Sequence, residues 1–238
     1  MERVSKVISN NGYTSRRKAE ELIKEGKVLV NGEKAILGQK VDANDIITID
    51  GKTINWKNIN YEYYLLNKPR GVISSSHDEK ERKTVVDLID TNARIYPVGR
   101  LDYDTTGALL LTNDGELTNK LTHPSNNINK VYLAKVEGIL TGNDIHKLEA
   151  GVNIDNYKTS PAKVKLKSFN KKTNSSMVIL TIHEGHNHEV KKMFETIGFK
   201  VDKLTRISFA GLDVKNLKSG EYRKLSLKEV QRLYSLFK

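Results

Sequence analysis

The apolar positions of the first sixty residues follow two different spacings. At first they recur every three or four positions, as at Val4, Val7 and Ile8, which is the spacing of a helix that packs on one side. Later they fall into short runs, and Asn31-Gly32 between two of these is typical of a tight β-hairpin turn. We therefore predict a small helix-then-sheet unit over residues 1–60, with a polar linker over 53–60. Its predicted elements are helices over 1–11 and, after the capping hydroxyls of Thr14-Ser15, over 16–24, and strands over 27–30, 33–36 and 45–49.

Residues 61–238 carry longer apolar and alternating runs, most of them separated by short turns. Predicted strands outnumber predicted helices, which favours an α+β fold with a mainly antiparallel or mixed sheet flanked by helices, rather than a doubly wound parallel sheet. Strands are predicted over 61–66, 94–98, 108–112, 130–136, 162–169 and 176–182, with two further short ones before the last helix, and 72–75 is predicted to be extended; helices are predicted over 84–89, 114–121, 141–149, 189–197 and 227–236.

The charge balance indicates the kind of partner. The chain has 238 residues, with 40 Lys and Arg against 29 Asp and Glu, a net charge of +11. A basic surface attracts polyanions and binds nucleic acid by releasing its counterions. Anionic lipid is the competing partner, but no basic amphipathic anchor or lipidation motif accompanies the charge. We therefore expect nucleic acid as the partner and no membrane association.

The composition also excludes several kinds of site. The chain has no cysteine, so it has no disulfide bond, no thiolate metal site and no cysteine nucleophile, which suits a reducing compartment. No apolar run approaches the roughly 18 residues of a membrane span, and the N-terminus lacks the apolar core of a signal peptide. We expect a cytoplasmic protein, and a monomer, because no heptad pattern or apolar strip predicts an interface.

The segment 99–107 carries the strongest candidate for chemistry. It places Asp102 on an irregular stretch between two predicted strands, where a scaffold commonly presents a reactive group. The simpler interpretation is an aspartate that caps a turn. A calcium loop is a further alternative, because Asp102, Asp104, Thr106 and Gly107 match its first, third, fifth and sixth positions; its twelfth position should be Glu and here is Asn113.

Four segments of the second part resemble, in order, the motifs of the RsuA/RluB family of ribosomal-RNA pseudouridine synthases. They are Asn67-Lys68-Pro69-Arg70-Gly71, the segment 99–115, the strand 130–136, and the segment 184–193 followed by Arg206-Ile207-Ser208. The unit over 1–60, with its basic helix start and its hairpin, resembles the S4 domain, a small RNA-binding module. The resemblance implies a catalytic domain over 61–238.

That resemblance implies isomerisation of uridine to pseudouridine in ribosomal RNA, with no cofactor and no metal. Segments 113–119 and 122–125 resemble the large-subunit branch, so 23S rRNA is expected in preference to 16S rRNA, as free RNA or within a precursor of the subunit. The alternatives are a 16S enzyme of the same family and a non-catalytic RNA-binding assembly factor in which the site has lapsed.

The resemblance also assigns roles to individual residues. Asp102 would be the nucleophile, on C6 of the uracil or on C1′ of the ribose, and Lys191 the cation that keeps it ionised despite desolvation. Tyr132 would stack on the base and accept the proton from C5. The expected RNA contacts are Ser15, Arg16, Arg17, Lys18, Asn31, Lys68, Arg100, Lys130 and Lys192, with Arg100 filling the gap left by the flipped base or holding its phosphate.

The last motif departs from the family's common pattern. Histidines, lysines and Glu189 stand where arginines and a glutamine are frequent, and Glu189 brings a negative charge close to the site. His183, His186 and His188 are also possible zinc ligands. Their spacing is not that of His-Glu-x-x-His, and on a strand that leads into a turn they are not expected to converge.

Overall fold

The computed structural model describes residues 1–56 and 59–237, so Lys57 and Asn58 of the predicted linker, and Lys238, lie outside the described residues. The chain forms two compact units. The first takes in two short segments from beyond the predicted range 1–60. It comprises Met1–Glu62, Thr91–Arg94 and Asn113–Gly115, and the second comprises Tyr63–Asp90, Ile95–Thr112 and Glu116–Lys238.

The first unit packs two helices with short strands. Its elements are β1 (Glu2–Arg3), α1 (Val4–Asn10), α2 (Arg16–Lys24), β2 (Val28–Val30), β3 (Glu33–Lys34), β4 (Lys40–Val41), β5 (Ile47–Ile49) and β6 (Lys52–Thr53). One sheet has the order β3-β2-β5-β6, and β1 pairs with β4. The apolar faces of both helices and of β2 and β5 are buried in one core. The spacing of the apolar residues is therefore explained by this core.

In the first unit, the sequence correctly predicts a helix cap and a hairpin turn, but it places the start of the first helix too early. The Ser15 hydroxyl accepts the backbone N–H of Lys18 and caps α2, as predicted. Asn31 and Gly32 both have positive φ, at 53° and 88°, which is the hairpin turn that their sequence indicates. The helix predicted from residue 1 begins only at Val4, because the two preceding residues pair with β4.

The second unit contains a nine-stranded sheet and four helices among the described residues. Its elements are β7 (Tyr63–Lys68), β8 (Tyr96–Pro97), β9 (Thr106–Thr112), α3 (Gly115–Thr122), β10 (Lys130–Glu137), α4 (Gly142–Glu149), β11 (Asn153–Ile154), β12 (Tyr157–Lys158), β13 (Lys163–Asn170), β14 (Ser175–Ile182), α5 (Glu189–Thr196), β15 (Val201–Phe209), β16 (Leu212–Asp213), β17 (Tyr222–Lys224) and α6 (Leu227–Ser235). Among the described strands of the sheet, only β15 and β9 pair in parallel. The predicted α+β class is confirmed.

The order of the large sheet is β13-β14-β10-β15-β9-β7-β17, with β8 on β9 and β16 on β15. Strand β9 lies near its centre, and Ala108 to Leu111 are fully buried, which explains their unbroken apolar run. The helix predicted over 84–89 is only a 3₁₀ turn, Val86–Leu88, and β15 is a long strand rather than a short one. The small hairpin β11–β12 was not predicted. No helix within the described ranges is long and apolar enough to cross a membrane.

Candidate active site

Three adjacent strands bring distant parts of the chain into one row. Tyr132 on β10 pairs with Arg206 on β15, and Arg206 pairs with Gly107 at the start of β9. The loop 99–105 leads into β9 and therefore ends beside this row. Tyr132, Arg206 and Asp102 of the loop line one cavity of about 830 Å³. Its apolar lining includes Val98, Leu101, Ile182, Leu204 and Phe209.

Lys68 holds the loop that carries Asp102. Its ammonium group donates to the carbonyl oxygens of Pro69 at 3.1 Å, of Asp102 at 3.0 Å and of Thr105 at 3.0 Å. Burial lowers the pKa of Lys68 to about 8, although the charges of Asp102 and Asp104 oppose that shift. The side chain is fully buried. Lys68 therefore cannot be the RNA contact that we predicted, and its role is corrected to support of the loop.

Gly107 is required where the loop joins β9. Its φ is +107°, and a Cβ atom placed there would lie 2.2 Å from the carbonyl oxygen of Arg206. No L side chain fits this close approach of two backbones. On the other side of the loop, the Ser74 hydroxyl accepts from the N–H of Leu101 at 3.1 Å and donates to its carbonyl at 2.8 Å. The loop is thus fixed at both ends.

The carboxylate of Asp102 lies beside two basic side chains. Its Oδ2 is 3.4 Å from Nζ of Lys191, and its Oδ1 is 3.5 Å from Nε2 of His188. The hydrogen bonds of Lys191, however, go to Asp104, at 2.7 and 3.0 Å. The hydrogen bond from Lys191 is the main reason that the pKa of Asp104 lies below its usual value. The sequence predicted the approach of Lys191 to Asp102, but not the sharing of this lysine by two carboxylates.

His188 at the start of α5 was missed as a neighbour of Asp102. It has a left-handed conformation, with φ at 54°, and this conformation is not visible in the sequence. Buried Val190, Met193 and Phe194 anchor the helix and set the position of Lys191. Within the part of the chain that the structure describes, no group of three or more His, Asp or Glu side chains is arranged to hold a metal ion.

The lining of the cavity includes further charged groups. Burial raises the pKa of Glu189 to about 7; a hydrogen bond from the N–H of His186 opposes this shift, and the carboxyl of Glu184 adds to it. Lys130 donates to the carbonyl of His183 at 2.9 Å, and burial lowers its pKa to about 8, helped by the charge of Arg206. Lys130 is therefore a cavity residue that is already hydrogen-bonded to the protein.

The remaining predicted RNA contacts lie on the surface or near it. Arg100 is exposed and lines the cavity. Lys192 forms an ion pair with Asp155 at 2.6 Å. In the first unit, Arg16, Arg17, Lys18 and Asn31 are exposed and Ser15 is half-buried. Arg16 and Lys18 pair with Glu20 and Glu21, at 3.7 and 2.9 Å.

Each of the two units matches the model of a known protein family. The family model for RNA pseudouridylate synthase matches residues 62–196, and that for the S4 domain matches residues 2–47. Ribosomal large subunit pseudouridine synthase B of Bacillus subtilis (strain 168) is 52% identical over 238 residues, which cover 99% of this chain and 97% of the relative. The dual-specificity RNA pseudouridine synthase RluF of Escherichia coli (strain K12) is 34% identical, covering 98% of this chain and 79% of the relative.

A solved structure supports the same relationship. A crystal structure of a pseudouridylate synthase is 30% identical, with a TM-score of 0.70, and the match covers 98% of this chain and all of that one. The similarity therefore extends over both units.

Proposed function

The chain belongs to the RNA pseudouridylate synthase family, in its S4-containing RsuA/RluB group, and from that premise we propose that it modifies a uridine of 23S rRNA with Asp102 as its nucleophile. Activity as an RNA pseudouridine synthase follows from the family. The choice of the large-subunit RNA is supported by the relative that shares 52% identity and is named for that subunit. Asp102 as nucleophile is supported by one observation, the placement of its carboxylate between Lys191 and His188 at the cavity.

The reaction needs a carboxylate that can attack and later leave. The N1–C1′ bond breaks, the detached uracil turns, C5 bonds to C1′, and the proton on C5 moves to N1 by way of a base. Asp102 would form the covalent bond, to C6 or to C1′. Lys191 and, when protonated, His188 supply positive charge beside it, which is what a carboxylate needs when a bound base displaces its water. Since the reaction is an isomerisation, nothing has to be added or removed.

Tyr132 is the proposed base for the C5 proton. It is only 8% exposed and lines the same cavity as Asp102, so a base bound there would meet both side chains. A phenolic oxygen is a weak base at neutral pH, but the C5 proton becomes acidic once C5 has bonded to C1′ and lost its aromatic character. The ring offers a flat apolar surface on which the uracil can stack.

The target uridine has to leave its stack to reach Asp102, at a cost of about a few kcal/mol that is smaller in loops and bulges. A volume of about 830 Å³ lies within the roughly 300–1,000 Å³ typical of ligand pockets and accommodates one nucleotide. We propose that Arg100 holds the phosphate at the rim and that Arg16, Arg17 and Lys18 of the S4 domain bind a neighbouring part of the RNA. The enzyme would act as a cytoplasmic monomer on rRNA or on a precursor of the large subunit.

The test is pseudouridine mapping of 16S and 23S rRNA from cells with and without the gene, by carbodiimide labelling and primer extension. A single stop lost from 23S rRNA, and restored by the wild-type gene but not by Asp102→Asn, would support the proposal. Loss of a stop from 16S rRNA would contradict the choice of subunit. Restoration by Asp102→Asn would contradict the nucleophile, and no change in either RNA would favour a different RNA or a non-catalytic role on the ribosome.

A further inference from the structure

Arg206 has a hydrogen-bond donor that no described residue uses. The side chain is 2% exposed, its Nε donates to the carbonyl of Ala108 at 2.8 Å, and its guanidinium lies 4.8 Å from the ring centre of Phe209. The terminal nitrogen Nη2 is buried and, within the described residues, has no hydrogen-bond partner. Because a buried charged donor is strongly destabilised without an acceptor, this nitrogen indicates a ligand.

The position of Arg206 shows which ligand can reach it. Arg206 lines the same cavity as Asp102 and pairs across the sheet with Tyr132. Thr105 also lines the cavity, and its hydroxyl is also buried without a partner among the described residues. A backbone phosphate stays on the outside of a folded RNA and is reached by exposed cations such as Arg100. A base that has left its stack enters a pocket, where side chains bind its polar edge.

We propose that Nη2 of Arg206 donates a hydrogen bond to a carbonyl oxygen of the flipped uracil and so acts as a catalytic and specificity-determining residue. This inference rests on the proposed entry of the target uridine into the Asp102 cavity. Uracil offers carbonyl oxygens at positions 2 and 4, on either side of N3. Cytosine has an amino group at position 4, which a guanidinium donor repels. Arg206 therefore favours uridine over cytidine when position 4 faces it.

The same donor serves the base before and after it turns. To exchange N1 for C5 at C1′, the detached uracil makes a half-turn about the axis through N3 and C6. That half-turn also exchanges the two carbonyl oxygens, so a donor bound to one of them meets the other when the turn is complete. Arg206 can thus hold the free base in the cavity between breakage of the first bond and formation of the second. A fixed donor of this kind needs no rearrangement during the reaction.

The experiment combines a change in the enzyme with a change of one atom in the RNA. The substrate is a synthetic stem-loop around the mapped uridine, prepared with uridine, 2-thiouridine or 4-thiouridine at the target, because sulfur accepts hydrogen bonds more weakly than oxygen. Single-turnover rates are measured for the wild type, for Arg206→Met and for the control Lys135→Met. Lys135 lies on the same strand as Tyr132, but its ammonium pairs with Asp202 on the surface.

We expect the wild type and Lys135→Met to lose about fivefold to tenfold in rate on at least one thio RNA. Arg206→Met should be slow on all three RNAs and should convert them at rates within about twofold of one another. Comparing the uridine and thio rates of the same enzyme cancels any general loss of activity, and comparing that thio penalty between two enzymes cancels the intrinsic effect of sulfur. Equal thio penalties in Arg206→Met and in the wild type would overturn the inference.

Two further measurements keep the test decisive. If Arg206→Met does not fold, Arg206→Lys replaces it, since lysine keeps the positive charge and lacks the second terminal nitrogen. The same loss of the thio penalty is expected for this variant. An unchanged penalty overturns the inference. Failure of the proposed function would show differently, as an unmodified stem-loop that the wild type does not convert or that Asp102→Asn still converts.

Discussion

Several polar side chains of the S4 unit bind one another, whereas the cavity beside Asp102 leaves buried hydrogen-bonding groups without partners in the described part of the chain. The side-chain amide nitrogen of Asn31 donates a hydrogen bond to the carboxylate of Asp45 at 2.8 Å, and its amide oxygen accepts one from the backbone N–H of Ile46 at 2.8 Å. In the cavity, the buried Nη2 of Arg206 and the buried hydroxyl of Thr105 have no partner among the described residues. The side chain of Asn31 is therefore satisfied without RNA, whereas these two cavity groups have hydrogen-bonding capacity left for a ligand.

This difference has an energetic consequence. An unsatisfied buried donor costs about 1–3 kcal/mol of stability, whereas an exposed residue that also pairs with its neighbours costs almost nothing. The S4 domain can thus bind RNA through exposed charges that lose little when the RNA leaves. If the target uridine binds as we propose, it would supply the partners that these buried cavity groups lack within the described ranges. Changes in the cavity should therefore have large and specific effects, and changes on the S4 surface should have small and additive ones.

The largest effect is expected for Asp102→Asn. Without the nucleophile, the rate of pseudouridine formation should fall by about 10³-fold or more, whereas the affinity for RNA should hardly change because the carboxylate is not an RNA-binding group. Single-turnover conversion of the rRNA fragment and filter binding measure the two quantities. The matched variant is Asp104→Asn, two residues away on the same lysine, for which a loss of about tenfold is expected. Similar rates for the two variants would contradict the assignment of Asp102.

A second large effect is expected for Lys68→Met. The change leaves three loop carbonyls without their donor, so the free energy of unfolding should fall by about 3 kcal/mol, and urea denaturation measures it. RNA binding should keep its salt dependence, because a buried ammonium releases no counterions from RNA. Unchanged stability together with a weaker salt dependence would restore the original prediction that Lys68 contacts RNA.

Lys68 also illustrates what the sequence could not predict. Its place in a motif and its positive charge identify it as a functional residue, but only tertiary packing decides whether that charge meets RNA or backbone carbonyls. The sequence did predict the strand of Tyr132 and the approach of Lys191 to Asp102, because family motifs and local periodicity carry that information. The position of His188 beside Asp102 depends on the left-handed backbone conformation of His188. The position of Arg206 in the cavity depends on the register of its strand. Neither of these can be determined from local composition.

A smaller effect, dependent on pH, is expected for Glu189→Gln. The pKa of Glu189 is raised to about 7 from its ordinary value of 4.5, so the folded state favours the neutral acid. Its contribution to stability is fully present below about pH 4.5 and is lost as the pH rises through about 7. The gain in stability of Glu189→Gln over the wild type should thus grow by about 3 kcal/mol between pH 4.5 and 8. Urea unfolding at each pH measures the difference in free energy of unfolding between Glu189→Gln and the wild type. A difference that stays constant across this range would contradict a raised pKa for Glu189 in the folded state.

The smallest effect is expected on the S4 surface, for Arg17→Ala. Arg17 is exposed in the first turn of α2, and removing a cation that binds one phosphate should lower the slope of log affinity against log salt by about 1, with little change at high salt. Lys24→Ala is the matched control, because Lys24 is also exposed but lies in the last turn of the same helix, where the helix dipole does not favour a phosphate. Equal slopes for the two variants would show that the basic start of α2 is an ordinary solvated surface. The contrast between a paired RNA-binding surface and an incomplete cavity would then hold only for the cavity.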